Sequence, residues 1–126
     1  ALPPEKHIIL DWVEDHFNKG WASECEVSFS NQPVSCYIAI KEEKVVGFAC
    51  YNATYKGFFG PEGVQEKYRG KKIGKALLLR CLQAMKDEGY GYAIIGGAGP
   101  TEFYKKVCDA EIIEDSTPGI YKDMLS

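Results

Sequence analysis

The stretch YRGKKIGKALL, residues 68–78, decides how this chain is read. It follows a β-rich apolar run and opens the longest helical pattern, in which Ile73, Ala76, Leu77, Leu78, Cys81, Leu82, Ala84 and Met85 keep one face apolar until Gly89. Arg69, Lys71, Lys72 and Lys75 crowd the first turn, where the helix dipole already presents positive charge and acidic residues are preferred. Left without a partner, that arrangement is unfavourable. Gly70 and Gly74 remove side chains where the backbone would approach a ligand, and first-turn N–H groups have no intrahelical acceptor. Strand end, glycine, cations and helix start together describe an anion site, phosphate foremost. The bland alternative is a solvated helix face with Gly70 as a simple turn residue. Two familiar phosphate loops are excluded, because Gly74-Lys75 is followed by Ala76 rather than Ser or Thr and no GxGxxG follows the first strand.

Upstream, Pro3 and Pro4 mark a helix start, and Ile9, Trp12, Val13, His16 and Phe17 line one face of a helix expected to stop near Gly20. His16 shares that stripe and reads as a packed or edge residue, and His7 carries no signal. Residues 22–34 are irregular and polar, which predicts a loop with at most a short turn or strand. Cys36 to Lys41 and Lys44 to Tyr51 are β-rich and separated by Glu42-Glu43, the pattern of a hairpin. A third run, 58–65, is interrupted by Gly60, Pro61 and Gly63. Downstream, 92–95 is a short apolar strand, Pro100 opens a short helix through Val107, and 111–114 and 119–122 read as closing strands. The order predicts a mixed α/β sheet flanked by helices, and the 126 residues, without repeat or linker, suit a single domain over 1–126.

Composition narrows the classes. With 45% hydrophobic and 26% charged residues the chain is globular in character, and no apolar run approaches the roughly 20 residues that span a bilayer. No membrane association and a cytoplasmic location are expected. A net charge of -3 and a pI near 5.4 argue against a nucleic-acid binder that works by general electrostatics. The five cysteines, Cys25, Cys36, Cys50, Cys81 and Cys108, form no CxxC pair, so reduced core thiols and no metal are the expectation.

The 68–78 block resembles the coenzyme A signature of the GNAT acetyltransferase superfamily, [QR]xxGx[GA], with Arg69 first and Gly74 last; Lys72 stands where the middle glycine is usual. The resemblance, which extends over about 37–125, implies a GNAT-like α/β (α+β) fold: a mostly antiparallel mixed sheet with a splayed parallel strand pair and flanking helices. It implies that acetyl-coenzyme A lies against Glu62, Gly63 and Val64 and on the loop Arg69, Gly70, Lys71, Lys72, Ile73, Gly74 and Lys75. Pro61 cannot donate to a central ladder, and a bulge at Gly60-Pro61, which the family has, resolves this. EFYKKV, residues 102–107, is similar to the family's FYxK helix, which gives Tyr104 the role of protonating the departing thiolate. Gly97 occupies the position of a cofactor-bonding asparagine. There is no room before Pro3 for the family's usual first strand.

Direct transfer needs a base for the amine, a donor for the oxyanion and an acid for the sulfur. Glu62 is the candidate base, with an exposed turn glutamate as its alternative, and the backbone N–H near Val64 is the candidate oxyanion donor. The acceptor is a small-molecule or peptide amine, and a homodimer is compatible with the family. The competing expectation is a non-catalytic coenzyme A or acyl-coenzyme A binding or sensing module on the same scaffold.

Overall fold

A computed structural model describes residues 1–95 and 101–108. They form two compact units, split between Gly96 and Gly97. The first carries α1 (Lys6–His16), α2 (Lys19–Ser28), β1 (Cys36–Lys41), β2 (Lys44–Tyr51), β3 (Phe58–Val64), α3 (Ile73–Asp87) and β4 (Ile94–Ile95). Short 3-10 turns at Pro3–Glu5 and Glu66–Tyr68 precede α1 and α3. Of the second unit, α4 (Thr101–Cys108) is described. The expected strands at 111–114 and 119–122 lie outside the described residues.

The sheet runs β1-β2-β3-β4, antiparallel through β3 and parallel between β3 and β4. This is the mixed sheet expected from the sequence. Glu42 and Glu43, at φ 52 and 65, turn the β1–β2 hairpin through two left-handed residues, the backbone that matches strand twist in a two-residue loop. Alternation along β2 then divides its side chains between two helical layers.

On one face Phe48 is fully buried with Ile9 and Val13 of α1, Cys25 of α2, Cys36 and Cys50. Trp12, Phe17 and Trp21 surround the Phe48 ring at centroid distances of 6.0, 5.8 and 6.0 Å. On the other face α3 lays down Leu77, Leu78, Cys81 and Met85. Gly47 lets that helix approach, since a Cβ there would stand 3.2 Å from Leu77 Cδ1. All five cysteines are free, and four are buried.

One expectation fails. Residues 19–28, read mostly as loop with Gly20 as a helix stop, form α2. Asn18 caps it, its side-chain oxygen accepting from Trp21 N–H at 2.8 Å, and Gly20 falls inside the first turn. The helix buries only Cys25 and Ser28, so its periodicity is faint, and packing on Phe48 rather than propensity holds it.

Gly63 of β3 belongs to the α1–α2 face. A Cβ on it would stand 2.4 Å from Phe17 Cζ, and that ring is wedged between Trp12 and Trp21. We expect Gly63→Ala to destabilise by about 1–3 kcal/mol, the usual cost of overpacking, measured by denaturant unfolding. An unchanged midpoint would show that Phe17 can move aside.

Candidate active site

The site grows from the way β3 pairs. Gln65 N–H donates to Val46 C=O at 2.8 Å, and the register places Gly63 opposite Phe48, two residues back along the same ladder. Backbone groups alternate along a strand, so Gly63 bonds toward β2 while Glu62 and Val64 turn theirs to the opposite edge. On that edge β4 pairs only with Phe58 and Phe59 among the described residues. Between those pairs and Glu62 lies the expected bulge: Gly60 and Pro61 together oppose Cys50, with Gly60 at φ 114. The bulge lets Pro61 sit in a central strand and leaves the Glu62 and Val64 amides on an edge that, among the described residues, no strand pairs with.

The open edge leads into the cationic loop. Tyr68 N–H bonds Gln65 C=O and Arg69 N–H bonds Glu66 C=O, which closes a tight turn after β3. The Arg69 side chain folds back, its Nε donating to Val64 C=O at 3.0 Å. That bond satisfies the outward carbonyl of the strand and ties Val64 to the start of α3. Gly70 at φ 81 redirects the chain, and Lys72 at φ 64 is the N-cap of α3 in the left-handed conformation. A glycine is favoured at such a φ, which is the physical reason the middle glycine is usual there; the lysine carries a strain of about 1–2 kcal/mol. No side chain caps α3, and its N-cap carbonyl, Lys72 C=O, accepts from Ala76 N–H at 3.1 Å. The N–H groups of Ile73, Gly74 and Lys75 are therefore available to an anion.

Glu62 sits in the strand, not in an exposed turn. It lies opposite Ala49 and faces α3, and its Oε2 is buried without a hydrogen-bond partner. Burial alone pushes its carboxyl up to about 8. Burial raises the Cys81 thiol of α3 well above the ordinary range, and the nearby Glu62 charge adds to the shift.

A cavity of about 410 Å³ opens between the end of α1 and the end of β3, lined by Asp15, His16 and Phe17 on one side and by Val64, Gln65, Glu66, Lys67 and Arg69 on the other. His16 is exposed and borders this cavity rather than the core. Its Nδ1 lies 3.0 Å from Trp12 C=O, which can only accept, so Nδ1 carries the proton and Nε2 is the acceptor in the neutral ring. Stacking on Trp12 at 4.8 Å fixes the ring. The helical spacing showed the stripe but not the cavity, and only the i, i+4 relation to Trp12 could have hinted at a fixed tautomer.

Glu62, Gly63, Val64, Arg69, Gly70, Lys71, Lys72, Ile73, Gly74 and Lys75 thus form one continuous strand, turn and helix start. Tyr104 belongs to α4 in the second unit, where it is buried and its ring meets Phe103 at 5.2 Å. Gly97 lies outside the described residues.

A bulged strand in a mixed sheet, followed by an uncapped helix N-terminus, defines an α/β protein whose geometry suits an extended ligand ending in an anion. The family follows from comparison: the acetyltransferase (GNAT) family profile matches residues 6–109, and the chain belongs to that family. Solved structures share the fold. An alanine N-acetyltransferase of ribosomal protein from Brucella melitensis biovar Abortus 2308 superposes with TM-score 0.63 at 15% identity, covering 90% of each chain. A Pyrococcus horikoshii protein assigned to the acetyltransferases superposes with TM-score 0.61 at 24% identity, covering 84% of this chain and 40% of that one. The chain therefore spans well under half of the Pyrococcus protein. A search of the curated proteins found no match.

The raised Glu62 carboxyl has a consequence for stability. In the unfolded chain it titrates near 4.5 and in the folded chain near 8. Between these values the native state holds a proton that the unfolded state has released, so stability is greatest below the lower value and falls as pH rises through the upper one. Glu62→Gln removes this dependence. The variant's stability relative to wild type should rise by on the order of a few kcal/mol from about pH 4.5 to about pH 8, read from denaturant melts at stepped pH. A difference independent of pH would show that the carboxyl is solvated.

Proposed function

We propose that this protein transfers an acetyl group from acetyl-coenzyme A to an amine, directly and within one ternary complex. The observation that carries the reading is the adjacency of three otherwise costly features: open amides at Glu62 and Val64, an uncapped cationic helix start at Ile73 to Lys75, and the unpartnered buried carboxylate of Glu62. An extended amide-bearing arm ending in a pyrophosphate fits the first two. Acetyl-coenzyme A has that form and supplies the acyl carbon as a thioester.

The protein's own groups supply the rest. The amides of residues 73–75 and the surrounding cations hold the pyrophosphate. Val64 N–H, held on the open edge by the Arg69 tie to its carbonyl, stabilises negative charge on the acetyl oxygen. Glu62, with its carboxyl near 8, takes a proton from an ammonium acceptor at a modest mismatch in proton affinity. The nitrogen then bonds the acyl carbon and the carbon–sulfur bond breaks. Tyr104 gives its phenolic proton to the leaving sulfur, a role it takes by resemblance to the family helix, and the second proton shed by the nitrogen as the amide forms restores the phenol. No described helix is long and apolar enough to cross a membrane.

Two experiments bear on this. Titration by calorimetry should give binding of acetyl-coenzyme A and none of ATP or NAD, and saturation at 100 times Kd should stabilise the fold by about 2.7 kcal/mol. A response to ATP without one to coenzyme A would sink the reading. For the chemical step, thiol release is followed with an amine panel that includes a peptide with N-terminal alanine, since that acceptor is in the name of the Brucella protein. Tyr104→Phe should lose on the order of 10²-fold in turnover while keeping coenzyme A affinity. Equal turnover would remove Tyr104 as the acid, and binding without acetylation of any amine would favour a sensing module.

A further inference from the structure

Lys71 of the cationic loop also belongs to a second group of cations, whose other members, Lys41 and Lys67, the acetyl-transfer reading does not use. The ammonium groups of Lys41, Lys67 and Lys71 lie 5.4, 5.1 and 5.7 Å from the centroid of one ring, that of Tyr68. They come from separate places: the last residue of β1, the 3-10 turn, and the loop into α3. The β1–β2 register ends at Lys41 opposite Lys44, so folding the hairpin brings Lys41 toward a loop some 30 residues later.

Like charges gathered on one ring repel, and cation–π attraction at an exposed ring is a weak offset. Nearby carboxylates do not neutralise them. Among the described residues the ion pairs are Lys6 with Glu26 and Lys105 with Glu102, and Glu42, Glu43 and Glu66 form none with these lysines. Of the other cations of the segment, Arg69 has its Nε engaged by Val64 C=O and Lys72 is the N-cap of α3. The three ammonium groups, each within 5.7 Å of the Tyr68 ring centroid, thus leave unneutralised positive charge around the segment that leads into α3.

Ammonium groups and backbone amides suit different phosphates. Uncapped helix amides suit the singly charged oxygens of a pyrophosphate diester, whereas converging ammonium groups suit the dianion of a phosphate monoester. Coenzyme A carries both kinds, joined through one ribose. We propose that Lys41, Lys67 and Lys71 around Tyr68 form the subsite for the 3′-phosphate of coenzyme A, with Lys41 as a specificity residue supplied by β1. The assignment rests on the acetyl-coenzyme A reading above.

The test compares coenzyme A with 3′-dephospho-coenzyme A by calorimetry at fixed ionic strength. Wild type should bind coenzyme A about tenfold more tightly, the worth of one good charge-assisted contact. Lys41→Ala and, separately, Lys67→Ala should each erase most of that preference, weakening coenzyme A and leaving the dephospho compound unchanged. Melting temperatures of the unliganded variants should match wild type, since both side chains are exposed. Equal wild-type affinity for the two compounds overturns the subsite while leaving the acetyl-coenzyme A reading intact. A Lys41→Ala loss shared equally by both compounds overturns it too, because the lysine would then serve the common part of the molecule. If neither compound binds wild type, the acetyl-coenzyme A reading itself falls and takes the subsite with it.

Discussion

The structure turns on the pairing of β3 with β2. One ladder bond, Gln65 N–H to Val46 C=O, fixes the parity of the whole strand end, and parity decides which amides are internal and which are offered outward. A shift by one residue would turn Gly63 outward and bury the amides of Glu62 and Val64 against β2. It would also drive Glu62 into the Phe17 and Phe48 face and place Gly63 where Ala49 and α3 need only modest room. The aromatic cluster on Phe48 enforces the register from one side, because only a residue without Cβ fits over Phe17. The core thereby specifies the site rather than merely supporting it.

The same parity explains why the next turn is built as it is. An outward strand carbonyl at Val64 needs a donor, and Arg69 supplies one from five residues on. That donor can reach back only if the chain doubles through a tight turn, which the 3-10 segment Glu66–Tyr68 and the left-handed Gly70 provide. The cost is a helix that begins abruptly, with Lys72 in a strained conformation and no side-chain cap. Local rules of helix starting are broken at this one place, and such breaks concentrate where function is.

Much of this was legible in the sequence, and the reasons differ by element. The β-rich runs of β1 and β2 and the Glu42-Glu43 break gave the hairpin, because a strand covered on both faces, as β2 is, reads as a nearly continuous apolar run. The long apolar stripe of α3 gave its extent to within a few residues of Ile73–Asp87. The glycines and cations of 69–75 marked a candidate anion site because they violate helix-start preferences. The bulge was legible because Pro61 is incompatible with an unbroken central ladder. By contrast α2 was illegible: it buries two small residues, is capped by Asn18, and holds a glycine in its first turn, so neither period nor breaker rules apply. The burial of Glu62 was equally hidden, since GPEG has the composition of a turn and only the pairing with Ala49 makes it a strand. The cluster on Tyr68 could not be foreseen either, because Lys41 reaches it only through the sheet.

Glu62 shows how fold and chemistry pull on one residue. A carboxyl on the α3 face of a central strand, without a hydrogen-bond partner, destabilises the fold at neutral pH, and an apolar side chain would pack there more favourably. Its neighbours do not relieve it: Ala49 and Gly47 are small, and Cys81 is itself disfavoured as an anion by the same burial. Nothing in the packing requires the charge. In the proposed reaction this position would provide a proton acceptor beside the Glu62 and Val64 amides, with a proton affinity raised by desolvation to about that of a weak base at neutral pH. The destabilisation is therefore intelligible as a local cost set against reactivity, with the aromatic core on the opposite face holding the strand in the register that imposes it.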